Sequence, residues 1–367
     1  MNYLRTGKGI DKGLCLVVAL LGAISILMIG SAMKGSGGFL SRSVIVQAIA
    51  YLLGALAIPF SLRVNYAVLK DHRRFLFILS ILLLLSVYIP GLGEERFGSR
   101  AWINLRVTTV QPSELVKLLF ILLMASWLDQ HQDELYNFKS LLRAAAVGAP
   151  IILIVLKEDF GSAIVFVSIW LVMIFFAGID KGVLARFLAV CCALMPVLYL
   201  FMADYQKERI ESFLHPNNLD IGGNYQVRQS KIAIGSGGLF GRGLFRGEQK
   251  SLNFIPVQTS DFIFSVIGEE LGLIGGLVVI FLYAVLLIRI MKILRKAQYF
   301  YGALIVVGVI SMFTFQIFEN IAMTMGLMPV TGITLPFLSY GGSSILSNML
   351  AIALVLNVSV HSQPMSF

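Results

Sequence analysis

Ten apolar runs, at about residues 14–33, 44–60, 74–90, 113–128, 141–156, 162–178, 184–203, 261–289, 301–325 and 342–360, constrain this chain more than any other feature. Each has about the length that a helix needs to cross a hydrocarbon layer. In lipid, every backbone polar group must be satisfied within the protein, so only helices and closed barrels span. Barrel strands alternate apolar and polar residues, and these runs do not. The predicted fold is therefore all-α: a polytopic membrane protein of ten transmembrane helices, with residues 1–367 as a single integral membrane domain. Only 13% of residues are charged, about half the usual share in soluble domains.

The net charge of +9 does not indicate a nucleic-acid partner, because most of the basic residues sit in short segments between apolar runs. Placing the N-terminus in the cytoplasm puts fifteen Lys and Arg in inner segments and six in short outer loops. That bias predicts both termini inside, and the basic stretch Met1 to Gly13 is expected to lead into a first anchor. Cys15 and the adjacent Cys191 and Cys192 show neither a disulfide framework nor a metal spacing.

Two outer segments exceed ordinary connector length. Residues 91–112 form one. Residues 204–260, between predicted helices 7 and 8, form the large extracytoplasmic loop, and its mixture of Ile, Leu and Phe with glycine predicts a folded or membrane-hugging cap. Its cations, including Lys231 and Arg242, suit an anionic partner. The cluster Gly235–Gly243 could cradle a phosphate on backbone N–H groups or simply make tight turns; it lacks the Gly-Lys-Ser/Thr ending of a Walker loop.

Ionisable groups at membrane depth are functional candidates by default. Glu114, Lys117, Asp159, Asp261, Glu269, Glu270 and Glu319 all fall toward the outer side, which predicts one polar, outward-facing cavity. Bland alternatives stand beside this. Glu114 and Lys117 share a helix face and could neutralise each other; Asp159 and Asp261 could cap helices; Glu269 and Glu270 point about 100° apart, so at most one faces a cavity squarely.

The stretch Asn320-Ile-Ala-Met-Thr-Met-Gly-Leu-Met-Pro-Val-Thr-Gly-Ile333, continuing through Leu335-Pro336-Phe337-Leu338 to Ser339-Tyr-Gly-Gly-Ser-Ser344, resembles the C-terminal signature of the shape, elongation, division and sporulation (SEDS) family of bacterial membrane proteins. Gln111-Pro-Ser-Glu-Leu-Val-Lys117 resembles that family's fourth-span motif, and Gln229-Ser-Lys-Ile-Ala-Ile-Gly-Ser-Gly-Gly238 its large-loop motif. The resemblance implies a glycosyltransferase that polymerises lipid II into peptidoglycan at the outer face of the cytoplasmic membrane. It also implies a class B penicillin-binding protein as partner, and the short tails with the loop stretch Asn253-Phe-Ile-Pro-Val-Gln258 resemble the rod-shape elongation branch, with a division or sporulation paralogue as the alternative.

Carried over residue by residue, Asp261 matches the essential carboxylate, Glu114 and Lys117 the fourth-span pair, and Asp159 the aspartate before a glycine. Three departures accompany these matches: Thr259-Ser260 replaces the common His-Thr, Glu158 replaces a proline, and Thr109 replaces an arginine. Glycosyl transfer from a lipid pyrophosphate needs a base and positive charge. Asp261 is the expected base; Lys117, Arg100, Arg106, Lys231 and Arg242 are the expected cations; Glu114 and Asp159 position; Glu269 and Glu270 support. No ligand spacing demands a metal, though a divalent cation such as magnesium or manganese is compatible with the carboxylates. The rival readings are a lipid II flippase and a non-catalytic scaffold.

Overall fold

A computed structural model describes residues 9–33, 41–96, 99–104, 109–134, 137–202, 204–218, 222–248 and 254–362. Its helices are α1 (Lys12–Ala32), α2 (Arg42–Ser61), α3 (Arg73–Leu85), α4 (Pro112–Gln130), α5 (Phe138–Glu158), α6 (Phe160–Phe176), α7 (Lys181–Phe201), α8 (Asp204–Leu214), α9 (Gly222–Gly237), α10 (Ile263–Leu294), α11 (Phe300–Thr324) and α12 (Gly342–His361). Six of these, α1, α2, α5, α10, α11 and α12, are long and apolar enough to cross a membrane. Side-chain caps start several helices: Asp11 accepts from Leu14 N–H at 2.9 Å and Asp180 from Val183 N–H at 2.9 Å. Pro112, which needs no donor, opens α4.

Helices α4, α11 and α12 are the most enclosed. The outer faces of α2 and α10 instead expose Leu52, Leu53, Leu277 and Phe281, a surface suited to hydrocarbon rather than water. Association in lipid depends on close packing and polar contacts. Gly54 of α2, for example, meets Met349 of α12 so closely that a Cβ would lie 2.5 Å from it.

Residues 91–112 depart from the all-α expectation. Strands β1 (Gly93–Arg96), β2 (Ser99–Asn104) and β3 (Thr109–Val110) form an antiparallel sheet in that order, with Glu94 opposite Trp102 and Ile103 opposite Val110. Glu158, at the end of α5, anchors it: its carboxylate accepts from the Tyr88 hydroxyl and from Arg100 N–H, and its carbonyl from the Ser99 hydroxyl. The extra carboxylate is thus used as a structural acceptor.

The described residues of the 204–260 segment include helices α8 and α9, which pack against each other, and α9 packs against α10. Gly272 interrupts α10 with φ +67°, and the glycine cluster fills the gap. Arg242 and Gly243 N–H groups donate to the Glu269 and Glu270 carbonyls, each at 3.0 Å; Leu273 and Ile274 N–H groups donate to the Gly238 and Leu239 carbonyls at 2.9 and 3.2 Å. Those donors are therefore committed to α10 rather than to a phosphate. A Cβ on Gly241, whose φ is +80°, would lie 2.1 Å from the Glu270 carbonyl oxygen, whereas Gly235 has nothing within 4 Å. Gly241→Ala is expected to lower the thermal midpoint of the purified protein by several degrees, and Gly235→Ala to leave it unchanged, in a detergent thermal-shift measurement.

Candidate active site

The segment between α11 and α12 turns back into the protein, where its irregular backbone must find internal partners. Side chains supply them. Ser25 donates to the Leu338 carbonyl at 2.8 Å, Gln47 to the Ser339 carbonyl at 3.0 Å, Tyr51 to the Phe337 carbonyl and Tyr283 to the Pro336 carbonyl, while Gly341 N–H donates to Gln47 Oε1 at 3.2 Å. This part of the signature, Pro336 to Gly341, is thus a braced loop.

That loop holds the start of α10 in place. The Ser339 hydroxyl donates to the Ser260 carbonyl, and Tyr340 N–H to the Thr259 carbonyl at 2.8 Å. Asn320 of α11 bridges the two strips, donating to the Asp261 carbonyl at 2.9 Å and the Ile333 carbonyl at 2.7 Å. Val257 (φ +56°) and Phe337 (φ +62°) adopt left-handed backbone on these strips, strain of about 1–3 kcal/mol each that the surrounding bonds must hold.

Asp261 therefore sits half-buried on a backbone fixed at both sides, two residues before α10. A Cβ on Gly332 would lie 3.5 Å from Asp261 Oδ2 and 3.8 Å from Arg209 Nη2, so glycine leaves the space that makes carboxylate and guanidinium neighbours. Arg209, on α8, also donates to the Thr331 carbonyl at 2.6 Å. The Thr331 hydroxyl donates to Glu319, a wholly buried carboxylate whose second oxygen has no partner among the described residues. Burial pushes the Asp261 carboxyl up to about 6; the Ser260 hydroxyl and Arg209 pull against that shift and Asp159 adds to it. The result is a carboxyl that exchanges its proton near neutrality within electrostatic reach of Arg209.

Asp159 lies within electrostatic reach of Asp261 and has two uses. It caps α6 by accepting from Ser162 N–H (3.1 Å) and Oγ (2.6 Å), and it accepts from Gln111 Nε2 at 2.8 Å. Gln111 N–H in turn donates to Ser343 Oγ at 3.4 Å, linking the starts of α4, α6 and α12. Glu114 and Lys117, both buried, pair at 2.8 Å. Lys117 is six residues beyond Gln111, about 9 Å along α4, and has no described contact with Asp261.

The other expected residues are dispersed. Arg100 lines a small cavity with Glu158 and Asp159. Lys231 lines a separate cleft of 410 Å³ with Arg228, Asn217 and Asn224. Arg242 pairs with Glu248 at 2.6 Å. Glu269 and Glu270 are wholly buried, with Glu270 accepting from the Ser31 hydroxyl at 2.7 Å. Arg106 lies outside the described residues. Among the described residues, no three acidic, His or Cys side chains group as metal ligands, so no cation site is assigned to them. The sequence reading missed Arg209 among many loop cations, and it passed over Gln111, Asn320 and Thr331 individually although each lies in a motif it singled out.

The profile of the FtsW, RodA and SpoVE family, described as cell cycle protein, matches residues 11–364. Stage V sporulation protein E of Bacillus subtilis is 37% identical over 363 residues, covering 96% of this chain and 98% of that protein. Peptidoglycan glycosyltransferase MrdB of Escherichia coli is 31% identical over 358 residues, covering 97% and 95%. Among solved structures, a chain from a peptidoglycan synthase complex that coordinates polymerization and crosslinking superimposes with a TM-score of 0.81 at 28% identity, covering 96% of this chain and 98% of that one.

Proposed function

Since this chain belongs to the FtsW, RodA and SpoVE (SEDS) family of cell-cycle proteins, we propose that it polymerises lipid II into glycan strands with Asp261 as the general base. The chain is a peptidoglycan glycosyltransferase, and the observation that carries the finer reading is the Asp261 carboxylate, on a backbone held through its carbonyl, within electrostatic reach of Arg209. A sugar hydroxyl of one lipid-linked precursor attacks the anomeric carbon of another. Its proton passes to Asp261, the bond from the anomeric carbon to oxygen breaks, and the lipid pyrophosphate departs with the electron pair. Arg209 is the cation among the described residues whose charge acts on Asp261 and is placed to receive the departing charge, and Asp159 and Gln111 position the facing wall. Arg209 replaces Lys231 and Arg242 in this role, since Lys231 lines a separate cleft and Arg242 pairs with Glu248.

This reading places ten helices across the cytoplasmic membrane, with both termini inside and the cap outside. Lipid II then approaches Asp261 from the outer leaflet, and a class B penicillin-binding protein cross-links the product. The elongation, division and sporulation branches fit this chain equally. A flippase reading gains one point from the interrupted helix α10, because transporters use broken helices at their binding sites. Here, however, the gap is filled by the glycine cluster. Reconstitution in vesicles with labelled lipid II separates the readings: glycan ladders support the polymerase, and translocation without ladders would support the flippase.

The base role also sets the pH dependence. Only ionised Asp261 accepts the proton, and its carboxyl titrates at about 6. The initial polymerisation rate is therefore expected to rise with pH through about 6 and to level off above it. A rate independent of pH from 5 to 8 would remove Asp261 from the proton transfer.

A further inference from the structure

A second polar cavity, of 280 Å³, opens at the far end of α10, where Arg289, Lys292 and Lys296 meet Ser359, Ser362 and the strip Gly9 to Asp11. Asp261 precedes the first residue of this 32-residue helix, which rises roughly 48 Å at 1.5 Å per residue. The cavity is thus remote from the candidate active site, and nothing in glycosyl transfer accounts for it.

Among the described residues its charge is unbalanced: three cations face one carboxylate, and that carboxylate is committed, since Asp11 caps α1 and lies 3.5 Å from Arg289. Lys292 and Lys296 have no acidic partner among the described residues. Two ordinary causes predict some of this surplus, namely the negative ends of α10 and α12 and the general excess of cations on the inner side. Neither calls for a built cavity, and this one has shaped walls. The Arg289 guanidinium lies over Gly13, where a Cβ would be 2.5 Å from its Cζ. The Ser359 hydroxyl donates to the Gly9 carbonyl at 2.7 Å, which holds the N-terminal strip against the last turn of α12. The volume is several times the roughly 30 Å³ of a water molecule, ample for a tetrahedral oxyanion. Ile10 and Ile293 provide an apolar wall beside the cations, and Ile288 and Met291, each preceding a lining cation in the sequence of α10, are exposed. A free anion uses only the charges; a lipid uses both surfaces.

We infer that this cavity binds the phosphate of an anionic phospholipid headgroup, with the acyl chains lying along Ile288 and Met291. Basic pockets between membrane helices on the inner side are suited to such headgroups. The test uses the full-length protein in detergent, with bound lipid counted by native mass spectrometry and the thermal midpoint followed in parallel. Phosphatidylglycerol, phosphatidylcholine and inorganic phosphate are titrated separately. Phosphatidylglycerol is expected to be retained and to raise the midpoint, phosphatidylcholine to do neither, and inorganic phosphate to act only weakly. Lys292→Gln combined with Lys296→Gln, both at exposed positions, is expected to weaken phosphatidylglycerol binding about thirtyfold. Asp261→Asn is expected to leave that binding unchanged. Equal retention by the wild type and the double variant, or equal retention of the two lipids, would overturn the assignment. Inorganic phosphate matching phosphatidylglycerol would overturn the lipid part and leave a plain anion site.

Discussion

Asp261→Asn is expected to reduce lipid II polymerisation by about 10²- to 10⁴-fold, the usual contribution of a positioned general base, while the protein remains folded. Both halves of this expectation follow from the same geometry. The backbone at Asp261 is held through its carbonyl, which accepts from Asn320 at 2.9 Å, and through the neighbouring Thr259 and Ser260 carbonyls. None of these bonds uses the Asp261 carboxylate, so an isosteric amide leaves them in place. What the amide lacks is a proton-accepting oxygen of suitable basicity, and with it goes the negative charge beside Arg209. Glycan ladders from the purified variant, alongside an unchanged thermal midpoint, are the measurement. Polymerisation at the wild-type rate by folded Asp261→Asn would eliminate the base assignment and shift attention to Glu319, the buried carboxylate linked to the same loop through Thr331.

How much of this arrangement could be seen in the sequence depends on the kind of force involved. The apolar runs were legible because lipid imposes length and composition directly, and helices occupy them. Asp261 and Asp159 were legible because a carboxylate at the end of an apolar run is costly and therefore conspicuous. Arg209 was not: it is one of several cations in the cap, and its relevance comes from α8 folding over the loop at Thr331 and Gly332, a contact more than a hundred residues away in sequence. The glycine cluster was legible only as two alternatives, a phosphate cradle or tight turns. Its composition fits a phosphate cradle, but only the three-dimensional seat in the break at Gly272 shows its N–H groups donating to α10. The sheet over residues 93–110 also escaped notice, since its strands are two to six residues long and depend on Glu158 for anchorage. Local pattern identified what was costly to place in lipid; it did not identify what long-range hydrogen bonds brought together.

Lys117→Met is expected to destabilise the protein by about 3–5 kcal/mol, because it leaves the Glu114 carboxylate buried without its cation. The pair lies 2.8 Å apart with side chains almost fully enclosed, and Glu114 Oε2 has no other partner among the described residues. Glu114→Gln combined with Lys117→Met should recover most of that loss, since replacing a whole buried ion pair by uncharged groups is often neutral or stabilising. Stability alone is therefore a poor reason for keeping two buried charges in the first two turns of α4, and this points to a use in the reaction. Gln111, on the same helix, already contacts Asp159, and Lys117 lies about 9 Å further along that helix. The double variant is accordingly expected to fold with a near-normal thermal midpoint and to lose about 10²-fold or more in polymerisation, the scale on which preorganised charge acts on a transition state. A folded double variant that polymerises normally would reduce the pair to a packing device, leaving Arg209 as the cation on which catalysis depends.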